Sequence, residues 1–176
     1  PAERNRFFDF VNSNAINNIV ILTGDIHSSW ANDLPLSNYN SSTGSGSIGV
    51  EFVTPSVTSP GLSIGVGTSF VKWSNPHIKY IDFTQHGFIL LDINPTRTQA
   101  DWFYVSTINI DSNAYTHAVS YKTENNQNRL KIATSPTTIP NSYLTSIVPN
   151  LCPFYNTLSV DDFSNNDNLV LLSLYP

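Results

Sequence analysis

The chain has 176 residues, enough for one domain with its own hydrophobic core. Charged residues make up 12% of it and the net charge is −5, so the chain lacks the charge excess of a disordered segment and any basic stripe that would favour nucleic acid as a partner. No apolar run approaches the ~20 residues that span a bilayer, and the polar surface falls to neutral side chains, 21 Asn, 22 Ser and 16 Thr.

Residues 2–15 place Phe7, Phe10, Val11 and Asn14 on one face at helical spacing, with Phe8 and Ala15 widening the stripe, which predicts an amphipathic helix. The run from Asn18 to Gly24 is unbroken and apolar, as expected of a strand buried on both faces. Residues 37–47 are Ser/Asn/Gly/Thr-rich and read as a surface loop, and Ile48, Val50 and Phe52 alternate as a second strand. Residues 54–61 carry Pro55 and Pro60 and read as a loop, whereas residues 62–74 are weakly helical with two glycines. From residue 78 the period becomes two. Strands are expected over 78–83, 88–93, 100–108, 115–122 and 129–133, joined by short turns at 85–87, 94–96 and 124–128 into an antiparallel meander. Beyond Thr134 the pattern is lost. Residues 136–168 read as a polar extension and linker, and 169–176 as a short apolar end.

Chemistry concentrates in Thr23-Gly24-Asp25-Ile26-His27-Ser28-Ser29-Trp30, directly after the first strand. Gly24 permits a tight turn. In extended geometry Asp25 and His27, two apart, share a face, and a carboxylate with an imidazole suits a hard or borderline metal ion. Ligands gather beyond the C-terminal ends of strands in such sheets. The plainer reading is a turn in which Asp25 caps a helix after it, because two candidate ligands complete no metal site. Of the other histidines, His77 precedes a strand in a structural role, His86 is a solvated hairpin tip and His117 packs on a strand face; Trp30, Trp73 and Trp102 are expected in the core. The single Cys152 excludes an internal disulfide and a Cys-rich zinc site.

Residues 19–31, Ile-Val-Ile-Leu-Thr-Gly-Asp-Ile-His-Ser-Ser-Trp-Ala, resemble the last metal-binding motif of PhoD-like alkaline phosphatases, members of the calcineurin-like metallophosphoesterase superfamily. Two further stretches agree in order and spacing. One is Val50-Glu-Phe-Val-Thr-Pro-Ser-Val-Thr-Ser-Pro-Gly61; the other runs from Asn75-Pro-His through His86-Gly-Phe-Ile-Leu-Leu-Asp92 to Gln99-Ala-Asp-Trp-Phe-Tyr104. The resemblance implies an α+β fold, the C-terminal half of an αββα sheet sandwich ending in the meander, over residues 1–135. It implies hydrolysis of phosphate mono- or diesters at a site of two metal ions, iron and calcium. His27 matches the second histidine of the superfamily's Gly-His-x-His motif and is the first candidate ligand. Asp25 stands where the first histidine would be, as a ligand or as the group that orients His27. Ser28, Ser29 and Trp30 support the loop. The remaining ligand motifs are expected upstream, in a missing N-terminal half of the domain that is this chain's partner. The chain opens at Pro1 in a helical pattern and contains no Met, so it reads as a fragment, itself inactive.

The end, Leu172-Ser-Leu-Tyr-Pro176, resembles the approach to a type IX secretion sorting domain. With it comes an expected location that is secreted, cell-surface or periplasmic, and removal of the tail on export. The rival reading is a β-rich surface or adhesion module that kept the fold and lost the chemistry, compatible with the Asn/Ser/Thr-rich surface.

Overall fold

The computed structural model describes residues 2–61 and 67–138. Among these residues eight strands form two four-stranded sheets, and two helices lie outside them. In the first sheet β1 (Ile19–Thr23) pairs in parallel with β3 (Ser47–Val53). β2 (Ser29–Pro35) runs antiparallel between β3 and β4 (Ile78–Asp82), which gives the order β1-β3-β2-β4. In the second sheet β5 (Gly87–Asn94), β6 (Arg97–Val105), β7 (Tyr115–Glu124) and β8 (Lys131–Ala133) succeed one another as an antiparallel meander. The α+β reading therefore holds as two sheets with helices. The expected five-strand meander does not, because β4 belongs to the first sheet and pairs with β2. Period-two patterning marks a strand but says nothing about its partner.

The core lies between the sheets. Ala31, Val50 and Phe52 from the first sheet meet Ala100, Trp102 and Tyr121 from the second, with Val20 and Leu22 of β1 against them. Trp102 is fully buried, its ring edge-on to Phe52 at 5.8 Å, and its indole N–H donates to the Val53 carbonyl at 3.2 Å. β1 is half-buried along its whole length rather than fully covered. Its alternate residues Ile19 and Ile21 face α1 (Ala2–Ser13), where Phe8 and Val11 pack with Leu34 and Ile48. The buried stripe of α1 is thus Phe7, Phe8 and Val11, and Phe10, expected inside, is 60% exposed. The helix ends in a Schellman turn: Ile16 N–H reaches the Val11 carbonyl at 3.0 Å with Ala15 left-handed at φ +50°.

α2 (Thr68–Ser74) packs Val71 onto Ile78, Ile81 and Phe83 of the β4 region. Its short length leaves Trp73 78% exposed, so of the three tryptophans expected in the core one is on the surface. β2 escaped the sequence pattern because it buries Asn32 and Asp33. Asp33 is tolerated at 1% exposure because it accepts from the Leu130 amide (2.7 Å) and the Tyr39 hydroxyl (2.6 Å), with the Lys79 ammonium 3.6 Å away. After β4 the chain crosses between sheets. Asp82 accepts from the amides of Thr84 (2.9 Å) and Gln85 (2.7 Å), so the turn at His86 is a crossover and not the hairpin tip expected. The extension beyond residue 138, Cys152 and the sorting-like tail lie outside the described residues.

Candidate functional site

β1 ends at Thr23, and the next five residues form the loop that leads into β2. Ile26 N–H closes back on the Gly24 carbonyl at 2.8 Å, so Asp25 is the centre of a three-residue turn. Asp25 has φ +67° and His27 has φ +56°. Left-handed backbone costs a non-glycine residue roughly 1–2 kcal/mol, and such residues concentrate where a site requires them. The expectation that Asp25 and His27 share a face by strand alternation is therefore corrected. They lie in one loop, Asp25 within the turn and His27 just after it, and both have left-handed rather than extended backbone.

Two sets of hydroxyls fix the loop from below. Ser28 is fully buried; its Oγ accepts the Trp30 indole N–H at 2.7 Å and lies 3.4 Å from the Ile26 carbonyl. Trp30 in turn sits edge-on to Phe83 at 5.6 Å. Ser29, also fully buried, accepts from the Tyr104 hydroxyl at 2.9 Å, and the Tyr80 hydroxyl is 2.7 Å from that of Tyr104. Burial pushes the Tyr104 and Tyr80 hydroxyls above the usual phenol range, which keeps them protonated as donors. Glu51 of β3 accepts from Thr23 Oγ1 (3.1 Å) and Asn32 Nδ2 (2.8 Å), tying β1, β3 and β2 together.

His27 is half-buried, and its Nδ1 lies 3.0 Å from the carbonyl of Pro60. A carbonyl only accepts, so Nδ1 is the donor in this contact, and in the neutral ring the lone pair then lies on Nε2. This is the orientation in which metal-binding histidines are held. Asp25 is exposed beside it. Among the described residues no three His, Cys, Asp or Glu side chains converge as a metal site. What the loop offers to a metal is two groups, the Asp25 carboxylate and the His27 imidazole with its Nδ1 hydrogen-bonded.

The other histidines serve elsewhere. His77 is partly buried, and burial, reinforced by Arg4, pulls it below the usual imidazole range; its carbonyl accepts the Asp33 amide. His117 packs edge-on to Phe103 at 5.5 Å but is exposed, with Nε2 2.8 Å from Ser120 Oγ. His86 lies 3.2 Å from Ser56 Oγ. Sequence reasoning missed Pro60, Ser56 and Tyr104 as supports, because these contacts span 33, 30 and 75 residues.

A parallel strand delivers a Gly-Asp-x-His loop to the end of a two-sheet fold, and the comparisons with known proteins say which family uses it. The profile of the PhoD-like phosphatases matches residues 1–102. The chain is 31% identical over 139 residues to alkaline phosphatase D of Bacillus subtilis (strain 168), an alignment that covers 78% of this chain and 23% of that protein. A solved structure of PhoD superposes with a TM-score of 0.66 at 31% identity, over 79% of this chain and 26% of the other. This chain belongs to the PhoD-like phosphatase family, and it spans about a quarter of the length of these relatives. No helix among the described residues is long and apolar enough to cross a membrane.

Proposed function

We propose that this chain is the C-terminal part of a metal-dependent PhoD-like phosphatase that hydrolyses phosphate mono- or diesters, with His27 and Asp25 as the metal ligands of its last motif. The observation that carries the reading is the His27–Pro60 hydrogen bond, which occupies Nδ1 and leaves Nε2 as the ring nitrogen available to a metal. When bound, two metal ions, iron and calcium by family resemblance, supply polarisation of phosphoryl oxygens and activation of water.

The chain's own residues bind and orient. His27 offers Nε2. Asp25 offers a carboxylate from the same loop, or steadies His27. Ser28 and Ser29 anchor the loop to Trp30 and Tyr104. The other ligands come from an upstream half of the domain. β1 ends the first sheet among the described residues, and its Ile-Val-Ile-Leu-Thr sequence is that of an interior strand, so its open edge is where an upstream strand would pair. The sorting-like tail and the neutral polar surface support a secreted, cell-surface or periplasmic location, with the tail removed on export.

The full-length protein is expected to hydrolyse p-nitrophenyl phosphate, to lose turnover on chelation and regain it with added metal. Turnover that persists undiminished in exhaustively chelated protein would refute the metal dependence.

A further inference from the structure

The loop over residues 54–61 is held at four points. It leaves β3 with the Thr54 amide on the Thr23 carbonyl at 2.9 Å. Gly87 N–H donates to the Ser56 carbonyl at 3.0 Å. Ser56 Oγ lies 2.6 Å from the Ser59 carbonyl and 3.2 Å from His86 Nδ1. At its far end the Pro60 carbonyl takes the His27 ring.

Donor arithmetic orders these contacts. Ser56 has one hydroxyl hydrogen, and the Ser59 carbonyl cannot donate, so that hydrogen goes to Ser59. Towards His86 the hydroxyl oxygen must then accept, and His86 carries its proton on Nδ1. The result is a directed relay: His86 Nδ1–H to Ser56 Oγ–H to the Ser59 carbonyl. That carbonyl belongs to the Ser59–Pro60 peptide, whose plane is fixed once its oxygen is held. The proline ring fixes the next dihedral, φ of Pro60. On the other side Gly61 lies so close to Phe83 that a Cβ there would come within 2.7 Å of the Phe83 carbonyl. Only ψ of Pro60 remains to aim its carbonyl at His27.

We propose that Ser56 and His86 are positioning residues for His27: they hold the Ser59–Pro60 peptide so that the Pro60 carbonyl fixes the His27 tautomer and presents Nε2. This role rests on His27 being a metal ligand. Neither side chain touches the ion or the substrate; both act through the loop. Losing an outer partner of a ligating histidine lowers metal affinity by about 10–100-fold. Ser56→Ala and His86→Ala should therefore each weaken metal binding about tenfold. His86→Asn, whose amide N–H can replace Nδ1–H, should restore affinity to within about threefold of wild type.

The experiment uses the full-length protein. Iron and calcium affinities are measured by chelator competition for wild type, Ser56→Ala, His86→Ala, His86→Asn and His27→Ala, with circular dichroism to confirm folding. The His27 tautomer is read in metal-stripped protein by nitrogen NMR of labelled histidine. The expected result is weakened binding in both alanine variants, rescue by asparagine, and a His27 ring that shifts from pure Nδ1–H towards a mixture of tautomers. If His27→Ala loses metal while both alanine variants bind as wild type does with an unchanged His27 tautomer, the positioning role is wrong and the ligand assignment survives. If His27→Ala itself binds metal normally, the ligand assignment falls and the positioning role falls with it.

Discussion

Tyr104→Phe isolates one support of the loop without disturbing packing. Tyr104 is 8% exposed, and the substitution keeps its ring while deleting a hydroxyl that donates to Ser29 at 2.9 Å and contacts Tyr80 at 2.7 Å. Each hydrogen bond contributes a net ~0.5–1.5 kcal/mol, so two cost about 1–3 kcal/mol. The fully buried Ser29, left without its donor, moves the expectation to the upper half of that span. Tyr80→Phe removes only the outer bond and should cost about 1 kcal/mol. The two share that bond, so the double variant should be less destabilised than the sum of the singles by about 1 kcal/mol. Chemical denaturation followed by tryptophan fluorescence reports on the region directly, because the Trp102 ring packs 5.7 Å from Tyr80. A Tyr104→Phe protein within about 0.5 kcal/mol of wild type, or strictly additive singles, would refute the hydroxyl chain as a support.

Four tyrosines, these two among them, predict the alkaline limit of stability. Tyr39, Tyr80, Tyr104 and Tyr121 are all raised, chiefly by burial, so the unfolded chain loses their protons first. Stability should be flat below the unfolded value of about 10 and fall as pH rises above it, with a shallower fall in Tyr104→Phe; an equal slope in that variant would contradict the assignment. Gly87→Ala places a Cβ against the Phe103 carbonyl across β5 and β6. It should destabilise by at least about 2 kcal/mol, which a shift in denaturation midpoint would show and an unchanged midpoint would exclude. The purified 176-residue chain alone should not hydrolyse p-nitrophenyl phosphate, with or without iron and calcium. Metal-dependent turnover by it would show that a complete site lies within these residues.

The sequence made β1 and the meander visible because apolar continuity and strict alternation are local properties. β2 was hidden because Asn32 and Asp33 are poor strand residues, and what makes their burial tolerable is distant: Tyr39, Lys79 and the Leu130 amide for Asp33, and Glu51 for Asn32. β4 looked like the first strand of the meander, since patterning cannot tell that Asp82 begins a crossover. In the site, the Gly-Asp-x-His spacing was legible and its geometry was not. Extended backbone was the natural assumption for Asp25 and His27, and both proved left-handed. The groups that aim His27 sit on a loop whose Ser/Thr/Pro composition marks it only as a loop.

The proposed chemistry turns on whether His27 holds a metal. Elemental analysis of the purified full-length protein, wild type against His27→Ala, tests this most directly, with circular dichroism to confirm that both are folded. The His27→Ala variant is predicted to lose one metal ion per molecule. An unchanged metal content in folded His27→Ala protein would contradict the ligand role.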